Sequence, residues 1–299
     1  MSVLVVGSIA LDTVETPDAK VKDALGGSAI YFSAAASFFN PVDIVGVVGT
    51  DFDFSKIDFL KDRQVNFDGL AVEEGDTFRW GGRYKKNMNQ RITLFTYLNV
   101  FKNFKPVIPQ HYRNDQFIFL ANIDPELQLD VLSQIKKPRL SVLDTMNFWI
   151  SSKRQALMDL IERIDVLILN DEELRELTKL PNMFEGAHSL LEAGPKALVI
   201  KKGEHGAVLV DREGYFLAPA FPLRNPVDPT GAGDSFAGGF VGYLSSCEKI
   251  DDAALRCAVI YGTVTASYSV EDFSFDRLKD ITREEIDERV ERIRKMTSF

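Results

Sequence analysis

The stretch VDPTGAGDSFAGGFVGYL, residues 227–244, changes character within a few positions. Asp228-Pro229-Thr230 cannot enter a helix smoothly, Gly231-Ala232-Gly233 leaves a backbone free to turn its amides outward, and Phe236, Phe240, Tyr243 and Leu244 then recur at helical spacing. The spacing predicts a helix starting at about Gly233. Its unpaired amides and positive dipole end make an anion site, and Asp234 in the first turn projects a carboxylate toward whatever they hold. A carboxylate repels bound phosphate, so it is best justified there if it removes a proton from a hydroxyl that attacks the phosphate. The plainer alternative is a helix-start acid stabilised by the dipole alone. Other phosphate motifs fit worse, because GxxxxGK[ST] is absent and Phe236 stands where GxGxxG needs its third glycine.

Upstream of this stretch, short β-branched runs alternate with longer amphipathic segments: LVVG (4–7), DIVGVVG (43–49), FIFLAN (117–122), RLSVLD (139–144), VLILN (166–170), ALVIKKG (197–203) and GAVLV (206–210). This predicts βαβ units and a mainly parallel α/β sheet. Most runs end in Gly, Asn or Asp, which gathers polar groups at the carboxyl ends of the strands, where open α/β sheets bind ligands. Residues 76–101 break the pattern and alternate like exposed strands, with Gly81-Gly82 placed to turn a hairpin. Ile92, Leu94, Thr96, Leu98 and Val100 are expected on one face and Phe95, Tyr97 and Phe101 on the other. Such a hairpin is a lid, with one apolar face over a ligand and the other against a second subunit in a homodimer; packing on its own domain is an equal alternative. The segment 281–296 reads as a closing helix with Ile281, Ile286, Val290 and Ile293 as its apolar stripe.

Composition bounds the partners. The 299 residues carry 35 basic and 44 acidic side chains, net −9, the wrong sign for a protein that coats itself with nucleic acid or anionic lipid. Apolar runs such as Val3 to Val6 fall far short of the roughly 20 residues a membrane span requires. The start, MSVLVVGSIALD, has no basic region ahead of its apolar run, so a cytoplasmic location is expected. Cys247 and Cys257 have no histidine near them and are expected to be reduced, buried helix residues. His111, His188 and His205 pair with no Ser or Cys in a nucleophile motif, although His205 falls in a loop that could touch a nucleotide.

DPTGAGDSFAGGF (228–240) resembles, almost position for position, the C-terminal signature of the ribokinase-like PfkB carbohydrate and nucleoside kinases. GSIALD (7–12), LGGSAIYFSAAA (25–36), DTMNFW (144–149), NDEE (170–173) and KKGEHGA (201–207) are similar to further motifs of that family in the same order, so the likeness extends over essentially the whole chain. The resemblance implies a three-layer α/β sandwich with a mainly parallel central sheet, a single kinase domain over 1–299, and a small β-strand lid formed by about 76–101 and part of 12–25. It implies Asp234 as catalytic base and Gly231, Ala232 and Gly233 as the amide pocket for the transferred phosphoryl group. Asn170 and Glu173 would organise Mg2+ through water, in keeping with that ion's preference for keeping several waters; the same pair also reads as an N-cap with a first-turn acid. Lys202, Gly203, Gly206, Thr230, Ala258 and Gly262 would contact ATP, and Asp12, Gly26, Gly27, Ser28 and Tyr31 the acceptor. Monovalent-cation activation, found in parts of the family, would involve Asp228 and the stretch Ser267 to Ser269.

Tyr31 stands where the family often has asparagine, which departs from the pattern for simple ribose. Phe78, Trp80, Tyr84, Phe95 and Tyr97 offer flat surfaces for a base, so the expected acceptor is a nucleoside or related sugar phosphorylated at a primary hydroxyl. Arg79, Arg83, Lys85, Lys86 and Arg91 support the alternative of a phosphate clamp for a sugar phosphate. A free-sugar kinase and a catalytically silent nucleotide-binding regulator are the remaining alternatives.

Overall fold

Runs of Val, Ile and Leu without polar interruption belong where both faces of a strand are covered, and this sets the architecture. The computed structural model describes residues 2–86, 88 and 90–298. The first run forms β1 (Val3–Val6), followed by β2 (Ala10–Glu15), β3 (Lys20–Gly26), α1 (Ser28–Ala36) and β4 (Val42–Gly49). A short helix α2 (Asp58–Asp62) leads to β5 (Val65–Glu73), β6 (Phe78–Tyr84) and β7 (Arg91–Tyr97). Alternation then sets in through β8 (Phe117–Leu120), α3 (Pro125–Gln134), β9 (Leu140–Asp144), α4 (Asn147–Ser152), α5 (Arg154–Ile161), β10 (Val166–Asn170), α6 (Asp171–Thr178), α7 (Met183–Ala193) and β11 (Ala197–Lys201). Strands β12 (Ala207–Asp211) and β13 (Tyr215–Ala218) precede α8 (Ala232–Ser245), α9 (Asp252–Ser269), α10 (Asp276–Asp280) and α11 (Arg283–Thr297).

Among the described residues nine strands form one sheet in the order β13-β12-β11-β10-β9-β8-β1-β4-β5, parallel from β11 to β5 and antiparallel at β11/β12 and β12/β13. Val3 and Val5 of β1 face a core shared with α1, α8, α9 and α11, while Leu4 and Val6 face a second core shared with α3, α5 and α7. Period-two alternation thus builds the three layers. Two strands lie outside the runs read from sequence. Asp68 and Gly69 interrupt β5, and β13 exposes Tyr215 and Leu217, because both are edge strands with one side left open. Ile281 ends α10 rather than joining the stripe of α11, which keeps Ile286, Val290 and Ile293.

A second sheet of four strands, β3-β2-β6-β7, corrects the hairpin reading. Gly81 and Gly82 lie inside β6 and turn nothing; the connection runs between Lys85 and Gln90, where the Lys85 amide donates to the Gln90 carbonyl at 3.0 Å. The glycines are there for the rings beside them. A Cβ on Gly81 would sit 2.4 Å from the Phe95 ring, and one on Gly82 2.0 Å from the Trp80 ring. The register shifts at this point, so Gly81 pairs with Phe95 and Gly82 with Thr93, leaving Leu94 as an extra residue. The bulge breaks the expected alternation: Ile92, Phe95 and Tyr97 share one face with Arg83, Gly81 and Arg79, while Arg91, Thr93 and Thr96 share the other with Tyr84, Gly82 and Trp80. The cysteines also differ from expectation, since Cys247 lies just past α8 and both thiols are half-buried and free.

At the opposite end of the main sheet, Asp115 is buried beside Asp43 and accepts a hydrogen bond from Ser2 Oγ at 3.0 Å. Burial, and then the Asp43 charge, push the Asp115 carboxyl up to about 7. The unfolded chain loses this proton near pH 4, before the folded chain does, so this group's contribution to stability declines as pH rises from about 4 to about 7. Asp115→Asn is therefore expected to gain melting temperature relative to the native chain on going from about pH 4 to about pH 8. Thermal melts with the same offset at both pH values would refute this.

Candidate active site

Parallel pairing places Asp144, Asn170 and Lys201 at the carboxyl ends of β9, β10 and β11, with Ile168 opposite Asp144 and Asn170 opposite Lys201. Helix α8 begins against this edge, one residue earlier than the spacing suggests. Gly231 caps it with φ 75°, and a Cβ there would lie 2.3 Å from the Tyr31 ring. Tyr31 is thus buried beneath the turn, edge-on to Phe275 at 5.9 Å, with its hydroxyl hydrogen-bonded to Ser274. It supports the shape of the Gly231 turn. Asp228 Oδ1 accepts the Thr230 amide at 2.8 Å, and Thr230 Oγ1 donates to the Tyr84 hydroxyl at 3.1 Å, which ties the four-stranded sheet to the motif.

Asp234 lies half-buried in the first turn of α8. Burial and the neighbouring Asp144 charge push its carboxyl up to about 7, against the pull of Lys201 and Arg91. Lys201 was not among the residues expected here. Its ammonium lies 3.2 Å and 3.4 Å from the two Asp144 carboxylate oxygens, and a Cβ built on Gly233 would sit 3.0 Å from Nζ. Its neighbour Lys202 belongs to the turn that follows, its amide donating to the Gly206 carbonyl at 2.8 Å. From β7, Arg91 stacks over Trp80 at 4.9 Å and adds positive potential at Asp12, Glu173 and Asp234. The motif KKGEHGA points to Lys202 as the expected ATP contact; Lys201 is the last residue of β11, and Lys202 begins the turn.

Asn170 and Glu173 form a reciprocal capping box: the Glu173 amide donates to Asn170 Oδ1 at 2.8 Å, and the Asn170 amide to Glu173 Oε2 at 2.7 Å. Burial pushes the Glu173 carboxyl up to about 7, with Asp144 adding to the push and Lys201 opposing it. Among the described residues no three His, Cys, Asp or Glu side chains converge on a metal position. Mg2+ needs no such cage, since it takes one or two carboxylates, substrate phosphates and several waters. With Oε2 committed to the box, Glu173 Oε1 can receive a metal-bound water, so the donor set fits the ion.

Asp12 projects from β2 and lies flat on Gly26, where a Cβ would meet its Oδ2 at 2.0 Å. The Gly27 amide donates to it, yet burial and the charges of Asp228 and Asp234 push its carboxyl up to about 8. Ser28 is tied to Ser8 instead, its Oγ accepting the Ser8 amide at 3.2 Å. Gly203 and Gly206 both have positive φ; at Gly206 this lets the turn pass the Ala218 carbonyl of β13. Ala258 and Gly262 are buried between α8 and α9, where a Cβ on Gly262 would lie 2.8 Å from the Phe236 carbonyl. The structure therefore gathers Asp12, Glu173, Asp234 and the Gly231–Gly233 backbone around Lys201 and Arg91, while Ser28 bonds to Ser8, Tyr31 lies against Gly231, and Ala258 and Gly262 are buried on α9. The histidines lie elsewhere: His111 faces Asp68, His188 Nε2 contacts the Tyr215 hydroxyl at 2.5 Å, and His205 sits in the exposed turn.

Of the five aromatics expected to face a base, Phe78 stacks on Phe101 and Phe95 on Tyr97, while Tyr84 is committed to Thr230. Trp80 pairs in register with Asp12 and so leaves the sheet on the same face. The basic residues are likewise dispersed: Arg79 pairs with Asp23 and Asp51, and Arg83 with Glu15.

The profile of the pfkB family carbohydrate kinases matches residues 2–276. The cytidine kinase of Thermococcus kodakarensis is 28% identical over 259 residues, covering 84% of this chain and 91% of its own. The nucleoside kinase of Methanocaldococcus jannaschii is 28% identical over 230 residues, covering 77% of this chain and 73% of its own; its crystal structure superposes with TM-score 0.77 and 23% identity over 97% of this chain and 98% of that one. Arabidopsis thaliana ribokinase, solved with ribose and ATP, superposes with TM-score 0.77 and 18% identity over 96% of this chain and 98% of that one. With the match running through both the glycine-rich motif and the strands that carry its partners, the chain belongs to the pfkB family of carbohydrate kinases.

Proposed function

We propose that this kinase transfers the γ-phosphoryl group of ATP to a primary hydroxyl of a nucleoside, with Asp234 as the base and the four-stranded sheet as a lid over one domain. The observation that carries the nucleoside reading is the shared face of Asp12 and Trp80, which sets a flat ring beside the carboxylate that would take the sugar hydroxyls. The cytidine and nucleoside kinases among the relatives support it. A clamp of all five basic side chains on a sugar phosphate is disfavoured, because Arg79 and Arg83 are spent on Asp23, Asp51 and Glu15, while Arg91 stays at the site.

In the mechanism, Asp12 orients the sugar and Trp80 covers the base. Asp234 takes the hydroxyl proton as oxygen attacks in line, and the amides of Gly231, Ala232 and Gly233 meet the charge on the transferred group. Asn170 and Glu173 would hold Mg2+ through water, and the bound ion would neutralise phosphate charge. Gly203, Gly206 and Thr230 line the path of the nucleotide, Lys202 marking its edge. The Tyr84–Thr230 hydrogen bond holds the lid down and excludes water, which suppresses ATP hydrolysis.

The test is ADP release with a panel of nucleosides, pentoses, hexoses and sugar phosphates. A nucleoside is expected to be preferred. Base stacking contributes about 1–3 kcal/mol, so Trp80→Ala should raise the nucleoside KM by about 5- to 150-fold and leave a free pentose unaffected. Equal losses for both acceptors would overturn the stacking role. Ile92, Leu94 and Tyr97 are exposed on the lid, and we propose that a second copy of the chain covers them in a homodimer. Light scattering should give twice the chain mass, reduced to one by Ile92→Lys; a native monomer at assay concentration would overturn it.

A further inference from the structure

We propose that Lys201 is a catalytic residue whose ammonium, carried on the end of β11 and held beside Gly233 by Asp144, contacts the phosphoryl group during transfer. The inference rests on the reading that this group lands at the start of α8.

Three features of the site carry it. First, the position: Nζ lies against the first turn of α8, since a Cβ built on Gly233 would sit 3.0 Å from it. Second, the grip is loose. A charge-assisted N–H···O bond settles at about 2.7–2.9 Å, whereas the Asp144 oxygens stand at 3.2 Å and 3.4 Å. An ammonium has three protons to give, and one carboxylate at these distances leaves capacity for a further acceptor. Third, the surroundings: the side chain is largely shielded, 18% exposed, where a full positive charge acts through little water. Asp144, Glu173 and Asp234 all bias the same pocket negative, and without Lys201 the sheet side would present an incoming phosphate with carboxylates alone.

In the step itself, the acceptor oxygen forms its bond to phosphorus as the bond from phosphorus to the oxygen bridging to ADP breaks. The hydroxyl proton passes to Asp234, and the electron pair leaves with ADP. Lys201 keeps its proton throughout and acts by charge, while Asp144 is a positioning residue that fixes where the ammonium points.

Lys201→Met and Lys201→Arg test this beside Asp234→Asn. Loss of one donor to a developing anion costs about 10²–10³ in rate, so the Met variant is expected to lose kcat by that factor with the acceptor KM unchanged, and Arg to recover at least about tenfold of it by restoring the charge. A Met variant within threefold of native kcat, with Asp234→Asn inactive, overturns the role of Lys201 and leaves the reading of α8 standing. The native chain supplies a second readout that no folding defect touches. An adenosine polyphosphate ending in pyridoxal, fixed by borohydride, should label Lys201, with ATP protecting it. Label on Lys202 with Lys201 unmodified overturns the proposal, and full activity of Asp234→Asn in the same assays overturns the reading on which it rests.

Discussion

Asp234→Asn is expected to cut turnover by at least about 10²–10⁴, the usual contribution of a positioned base, while ATP still binds. The amide keeps the shape of the side chain and its place in the first turn of α8, and it removes the group that would accept the proton. The pH profile gives an independent reading. The carboxyl is pushed up to about 7, by burial first and by Asp144 second. A base works only when ionised, so kcat/KM should fall about tenfold per unit as pH drops below about 7. In the Asn variant that acid limb should vanish from the residual rate. Retention of more than a tenth of native turnover would remove Asp234 from the role.

Asp12→Ala is expected to lower kcat/KM for the acceptor by about 10²–10⁴, since two hydrogen bonds involving a charged group contribute about 1.5–3 kcal/mol each. The KM for ATP should not move, because Asp12 stands on β2 of the lid sheet, away from the turn formed by Gly203 and Gly206. Asp12→Asn should lose less than Ala. Burial and the charges of Asp228 and Asp234 push the Asp12 carboxyl up to about 8, so near neutrality it is largely protonated before the acceptor arrives, and an amide resembles that state. Initial rates over a matrix of ATP and acceptor concentrations separate the two constants; a loss confined to ATP would sink the assignment.

The local order of the chain was legible wherever one segment specifies its own structure. The glycine turn before α8, the capping pair Asn170 and Glu173, and the continuous apolar strands β1, β4, β8, β9, β10 and β11 each declare themselves through neighbours within a few residues. The family follows from those motifs in order. Edge strands β5 and β13 were not legible, because one-sided burial relaxes the demand for apolar residues. Nor were the roles of Gly81 and Gly82, since the rings of Phe95 and Trp80 that require them reach those positions through cross-strand pairing and a bulge.

What the sequence determined by itself is therefore the main sheet, the motif and the place of Asp234 in the first turn of α8, all set by hydrogen bonding and periodicity over short distances. Only the tertiary structure decided which groups meet: Lys201 rather than Lys202 at Gly233, Asp144 beside Lys201, Arg91 of β7 over Trp80, and Tyr31 against Gly231. The contacts of Lys201 with Gly233 and of Tyr31 with Gly231 join residues 32 and 200 positions apart along the chain, counting 233 − 201 and 231 − 31. Electrostatics and close packing depend on distance in space, and that distance exists only once the layers have closed.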